Sequence, residues 1–183
     1  AVYAYDPRVM ASLRSLRAPM GVYFVLGNHE YRDDLEANVR WVSEVGATLL
    51  RDSLAYPGDS LLTLIGREDW VNGNRKPFEV IANEADPKRG PVVMMEHTPG
   101  SIDSIGDSPV DLMLCGHTHG GQVTFFGKII MSAIKDKKKY GYGMKEYNGH
   151  KIYITSGLGG AFLEMFIRFF AQPEIVIFEL KKI

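Results

Sequence analysis

The chain has one cysteine, Cys115, so no disulfide can form within it, and the apolar residues around that cysteine point to a buried thiol. A net charge of −1 leaves no global field to draw the chain to nucleic acid or to an anionic membrane. No apolar run is long enough to span a bilayer, and no stretch has the pattern of a signal peptide, an internal repeat or a low-complexity segment. These absences exclude a disulfide scaffold, a basic nucleic-acid-binding domain, a membrane-spanning helix within these residues and a repeat array. What is present is 183 residues with 45% hydrophobic content, enough for a substantial core in one domain over residues 1–183.

Of the five histidines, four stand directly after apolar runs that read as buried strands. Residues 22–26 end in Gly27-Asn28-His29-Glu30, and residues 92–95 end in Glu96-His97-Thr98-Pro99-Gly100. Residues 110–115 end in Gly116-His117-Thr118-His119-Gly120-Gly121. In open α/β sheets the C-terminal edge of the strands is where ligands bind. Neutral imidazole is the commonest protein ligand for transition metals, and glycines beside it let the backbone and a bound anion approach. Histidines satisfied one by one within turns would not cluster in this way, so the pattern predicts a metal site at the strand ends.

Around these runs the spacing predicts a helix over 6–17, with Pro7 in its first turn and Val9, Met10, Leu13 and Leu16 on one face. A second helix is predicted from Asp33-Asp34 to Gly46, carrying Leu35, Val39, Trp41, Val42 and Val45 near helical spacing. Strands are predicted over 48–50, 54–56 and 61–65, a turn over 57–60 and a helix over 77–85. Beyond Gly121 come short β pieces over 122–126, 128–131, 140–147, 151–155 and 175–180, with Asn148-Gly149 as a hairpin signal. Asp69, His150 and the lysine-rich run 135–139 read as facing solvent. Residues 161–171 read as a core helix, or as a flap whose Phe169 and Phe170 touch a lipid-like substrate or a membrane surface.

The three histidine blocks resemble, in order, the G-N-H-[DE], H-x-P and G-H-T-H-G-G-Q blocks of the calcineurin-like metallophosphoesterases, the last including Gln122. Residues 153–159 with Pro173-Glu174-Ile175 resemble the YkuE-like and YaeI-like phosphohydrolase subgroup. The resemblance runs from about residue 18 to the C-terminus. It implies an α/β fold, a four-layer α/β/β/α sandwich, with two divalent metal ions (manganese, zinc or iron) at the strand ends. It further implies that Asn28, His97 and His117 bind one metal, that His119 reaches the other, and that His29 stands beside the substrate. There His29 would stabilise the transferring phosphoryl group or protonate the leaving oxygen. Two cations about 3.5–4 Å apart clamp phosphate oxygens and lower the pKa of a bridging water, which is the hydrolytic chemistry these residue types suit. Glu30 would either orient His29 or act as a helix-start carboxylate. The subgroup also places an arginine near Arg168, which makes it a candidate substrate contact. A phosphorylated small molecule or lipid-like substrate is implied, with monoester, diester and pyrophosphate all compatible.

The family begins with a strand carrying D-x-H and a second carrying G-D, and neither block occurs here. The expectation is a C-terminal portion of a longer enzyme, lacking the first N-terminal strands and leaving apolar sheet edges unpaired. Such a chain alone would hydrolyse weakly or not at all. The alternative is a non-catalytic or mononuclear metal-binding domain derived from such an enzyme. The domain reads as soluble, and any membrane anchor of the parent would lie upstream of Ala1.

Overall fold

A computed structural model describes residues 7–32, 34–121, 123–125, 128–131, 139–159 and 168–181. Helix α1 (Pro7–Arg14) leads into strand β1 (Tyr23–Phe24), a short helix α2 (Asn28–Arg32) and helix α3 (Leu35–Glu44). Then follow β2 (Thr48–Leu49), β3 (Ser53–Ala55), the single turn α4 (Pro57–Ser60), β4 (Thr63–Gly66) and α5 (Phe78–Asn83). The central strands β5 (Val92–Glu96) and β6 (Leu112–Cys115) precede β7 (Val123–Phe125), β8 (Lys128–Met131), β9 (Gly143–Tyr147) and β10 (His150–Ile154). Helix α3 starts where Asp34 accepts the Ala37 N–H at 2.9 Å, the side-chain cap that satisfies an orphan donor of the first turn.

One sheet has six strands in the order β3-β4-β5-β6-β10-β9, with β4, β5, β6 and β10 parallel and antiparallel strands at both edges. Its residues alternate between two cores, as the period of a strand requires. Ile65, Met94, Met113 and Ile152 face α5, whose Phe78, Ile81 and Ala82 join the same cluster. Leu64, Val93 and Leu112 face the other way and pack with Leu50, Tyr23 and Val25 of the parallel β1–β2 pair and its flanks. On the far side of that pair, Trp41, Val42 and Val45 of α3 and its cap close over Leu26, with Phe24 and Trp41 edge to face at 5.6 Å. The layers therefore run α3, β1–β2, six-stranded sheet, α5, an α/β/β/α order. Where the two sheets come closest, Gly66 is required: a Cβ there would lie 2.0 Å from the Leu50 Cβ.

The elements fall at their predicted positions with bounds that differ by up to three residues, and several expectations are corrected. Helix α1 stops at Arg14, and residues 57–60 form a helical turn. Helix α2 enters the sequence reading only through Glu30 as a helix-start carboxylate. Residues 175–180 form no strand, because no neighbouring backbone completes a ladder with them among the described residues; Ile177 is 92% exposed. Phe178 nevertheless packs edge to face on Tyr153. His150 is buried, not solvent-facing: its Nδ1 lies 2.6 Å from the Val110 carbonyl and its Nε2 2.7 Å from that of Gly106. Residues 168–171 are not helical; the expectations for 161–167 and for 135–138, along with Asp6, Asp33 and Gln122, lie outside the described residues. Among the described residues no helix is long and apolar enough to cross a membrane.

The polar loop between β4 and α5 is held by buried charge. Arg67 and Asp52 pair at 2.6 Å with their side chains 2% and 5% exposed. Asp52 also accepts the Glu68 N–H at 3.2 Å and the Lys76 N–H at 2.7 Å, and Arg67 donates to the Lys76 carbonyl at 3.1 Å. One carboxylate thus ties down both ends of the loop. Asp52→Ala leaves the Arg67 guanidinium buried without its counter-charge and is expected to lower stability by about 3–5 kcal/mol in urea denaturation. Breaking the exposed Arg40–Glu36 pair by Glu36→Ala is expected to leave the midpoint unchanged.

Candidate metal centre

Strands β5 and β6 are parallel neighbours with Glu96 opposite Cys115, so His97 and Gly116-His117 leave adjacent strand ends together. The Gly116 N–H still bonds the His97 carbonyl at 2.9 Å, which keeps the two histidines in register beyond the sheet. From the first sheet the chain passes through Leu26 and Gly27 into α2, whose first residue is Asn28. Its side chain reaches across: Asn28 Oδ1 stands 3.1 Å from His97 Nε2 and 3.1 Å from His117 Nδ1. Asn28 is 4% exposed, and the two rings meet edge to face with centroids 5.3 Å apart. Gly27 makes this approach possible, because a Cβ there would stand 2.7 Å from ring atoms of His97. The turn that follows is strained: His117 (φ 68°) and His119 (φ 51°) both occupy the left-handed region that non-glycine residues seldom adopt.

The environment keeps the imidazoles neutral. Burial, then the neighbouring His117, push His97 down to about 4, against the opposing pull of Asp69. His117 is lowered by burial, again opposed by Asp69. His119 is lowered by burial and then by the positive charge of Arg168. A neutral imidazole keeps a ring lone pair for a metal, and two such rings around a carboxamide oxygen form an N/O donor set that fits manganese, zinc or iron. Among the described residues no group of three or more His, Cys, Asp or Glu side chains is arranged to hold a metal ion. The convergent set is two histidines and an asparagine.

The remaining candidates lie around this point. His119 is half-buried in the 3₁₀ turn His119–Gly121. His29 is exposed in the first turn of α2, close enough for its charge to act on His97, His117 and His119. Glu30 accepts the Gly27 N–H at 2.8 Å and so closes the start of α2. Arg168 donates through its terminal nitrogens to backbone carbonyls, among them Ser156 at 2.6 Å, Gly157 at 3.2 Å and Gly159. Glu174 steadies the same stretch, accepting from Thr155 Oγ1 at 2.8 Å and the Ser156 N–H at 3.0 Å. Desolvation acts to raise the Glu174 pKa, but these bonds and those from Tyr142 and Tyr153 outweigh it and hold the carboxyl below its ordinary value.

Two residues escaped the sequence reading. Asp69 is fully buried instead of facing solvent: its Oδ2 accepts the Thr98 hydroxyl at 2.7 Å, one residue from His97, and its charge acts on both convergent histidines. Glu96, also buried, binds Arg75 and accepts the Ser101 N–H at 3.1 Å. The available signal was position, since Asp69 follows β4 on the same edge as the histidines.

The chain belongs to the calcineurin-like phosphoesterase family, whose sequence model matches residues 4–121. It is 32% identical to the uncharacterized metallophosphoesterase YkuE of Bacillus subtilis, over 98% of this chain and 63% of that protein. It is 36% identical to the phosphodiesterase YaeI of Escherichia coli, over 84% of this chain and 56% of that protein. Similarity also extends, at 25% identity over 90% of this chain and 65% of the relative, to the UDP-2,3-diacylglucosamine pyrophosphatase LpxG of Chlamydia muridarum. The chain thus spans less than two thirds of the length of each of these relatives. No solved structure gives a significant match.

The contact between Gly27 and His97 yields a direct expectation. Gly27→Ala displaces the His97 ring from Asn28 while leaving the β5–β6 core intact. Circular dichroism should be unchanged, and zinc affinity measured by competition with a chelating dye should fall about tenfold or more.

Proposed function

We propose that this chain carries the metal-binding edge of a phosphoric ester hydrolase, with Asn28, His97 and His117 holding one divalent ion and His119 contributing to a second. The observation that carries the reading is the single carboxamide oxygen shared by two imidazoles at the C-terminal edge of parallel strands. Asn28, His97, His117 and His119 would hold divalent ions there, which would supply Lewis-acid stabilisation of phosphate charge and activation of a water. The chain's own residues do the rest. His29, exposed at the start of α2, stands free to present a ring proton to the leaving oxygen or to the phosphoryl oxygens. Arg168, whose charge already acts on His119, adds positive potential for an anionic substrate. Asp69 is a positioning residue: through Thr98 it anchors the segment next to His97. The substrate class is a phosphorylated small molecule or lipid-like ester, in keeping with relatives named as a phosphodiesterase and a UDP-2,3-diacylglucosamine pyrophosphatase.

A second reading, a mononuclear metal-binding domain without hydrolysis, is favoured by one observation: no carboxylate joins the two histidines and the asparagine among the described residues. Hydrolysis of bis(p-nitrophenyl) phosphate with added manganese or zinc separates the two. The hydrolase reading expects metal-dependent turnover, weak for this chain alone, that His97→Ala abolishes together with bound metal. It also expects His29→Asn to keep the metal and lose about 10²-fold or more of the rate. Bound metal with no turnover on this or a phosphomonoester would leave the mononuclear reading, and turnover unaffected by chelation would contradict both.

A further inference from the structure

Beyond the convergent histidines, a polar network gathers after β10. Strand β10 runs parallel to β6 with Ile154 opposite Cys115, and the Thr155 N–H bonds the Cys115 carbonyl at 2.8 Å. Residues 155–159 therefore leave the sheet beside the turn that carries His117 and His119. Two charged side chains fix this loop. Glu174 Oε1 accepts the Thr155 hydroxyl at 2.8 Å, the Ser156 N–H at 3.0 Å and the Tyr153 hydroxyl at 3.1 Å, while its Oε2 accepts the Tyr142 hydroxyl at 2.7 Å. The Glu174 N–H also bonds the Gly157 carbonyl at 3.1 Å.

Arg168 ties the loop to residues 171–172. Its Nη2 donates to the carbonyls of Ser156 at 2.6 Å, Gly157 at 3.2 Å and Gly159, and its Nη1 to those of Ala171 at 3.3 Å and Gln172 at 3.4 Å. The Ser156 hydroxyl joins the same two segments by donating to the Gln172 carbonyl at 2.7 Å. Carbonyls set in two separate segments call for a planar fork. The ammonium of a lysine would bring the same charge without spanning them.

What this clasp bears against is the histidine turn. Gly120, next to His119, has φ 65°, and a Cβ there would lie 3.0 Å from the Ser156 Cβ and 3.8 Å from that of Ala171. The turn is thus seated on both segments that Arg168 joins. Burial and the Arg168 charge lower the His119 pKa, and a hydrogen bond to the Gly159 backbone opposes them, as a ring N–H aimed at that carbonyl does. A ring nitrogen that keeps its proton on a carbonyl leaves the other its lone pair, the arrangement that orients metal-ligating histidines.

We infer that Arg168 and Glu174 are positioning residues for His119. By clasping residues 155–159 and 171–172 against Gly120 they fix one tautomer and one orientation of its imidazole, and from Arg168 this requires the guanidinium fork in addition to the charge. The metal that His119 would reach rests on the proposed function; the clasp and the tautomer stand without it.

Ring-nitrogen NMR of the metal-free chain labelled with ¹⁵N-histidine, at a pH where the imidazoles are neutral, reads the tautomer of each. Wild-type His119 is expected to show a single tautomer. Arg168→Lys and Glu174→Gln are each expected to give His119 the averaged shifts of a free imidazole, while His150, held by two carbonyls, keeps its own. Neither residue belongs to the three apolar cores, so the variants should fold, and unchanged His150 shifts check this. If Arg168→Lys moves His150 as well, Glu174→Gln alone decides. With zinc, both variants should keep the response of His97 and His117, and that of His119 should require about tenfold more zinc. Mixed tautomers at His119 in wild type, or a single tautomer kept in a folded Arg168→Lys or Glu174→Gln chain, overturns the inference. A chain whose His119 answers as expected but which hydrolyses no phosphoester keeps the clasp and loses the hydrolase reading. Metal-dependent turnover with His119 unaltered in both variants keeps the hydrolase and loses the clasp.

Discussion

Asn28 Oδ1, 3.1 Å from a nitrogen of each of two imidazoles, is the contact on which the rest of the site depends. It joins the two sheets chemically, since Asn28 follows β1 while His97 and His117 follow β5 and β6. Each part of the surrounding fold serves that convergence. The parallel register of β5 and β6 delivers the histidines side by side, Gly27 leaves space for a ring, and the left-handed turn at His117 aims its imidazole back at Asn28. Burial then keeps the rings neutral, the state in which they can ligate a metal.

Around this point lies a second layer made of buried ions. Glu96 with Arg75 and Asp69 with Thr98 bind the β4–α5 loop to the end of β5, and Asp52 with Arg67 binds it to the turn before β3. Buried pairs of this kind are weak contributors to net stability but severe when broken. Their value here is positional: they hold a polar loop to the end of β5 and to the turn before β3.

The parts of this arrangement that are local in sequence could be read directly. The apolar runs before Asn28, His97 and His117 end in residue types whose chemistry is legible at their own positions, and the burial of β5 and β6 on both faces follows from their unbroken apolar composition. Asp34 capping α3 was legible for the same reason, because its partner is three residues away. Asp69, Glu68 and His150 were misplaced or passed over because their burial is decided by partners far along the chain. Asp69 looks like a loop carboxylate until Thr98, 29 residues on, is brought against it, and His150 looks like a turn residue until the carbonyls of Gly106 and Val110 close on both ring nitrogens. Residues 175–180 failed in the opposite sense: strand-like alternation is local, but a strand exists only where a neighbour completes its ladder.

The central claim is that His97 and His117 act as one metal site with Asn28. Ring-proton NMR of the histidines during zinc titration tests it most directly. The account predicts that the resonances of His97 and His117 move together and saturate by about one equivalent, while those of His150, engaged by two carbonyls, stay in place. Movement of His97 without His117, or equal small drifts of all the histidines without saturation, would contradict it.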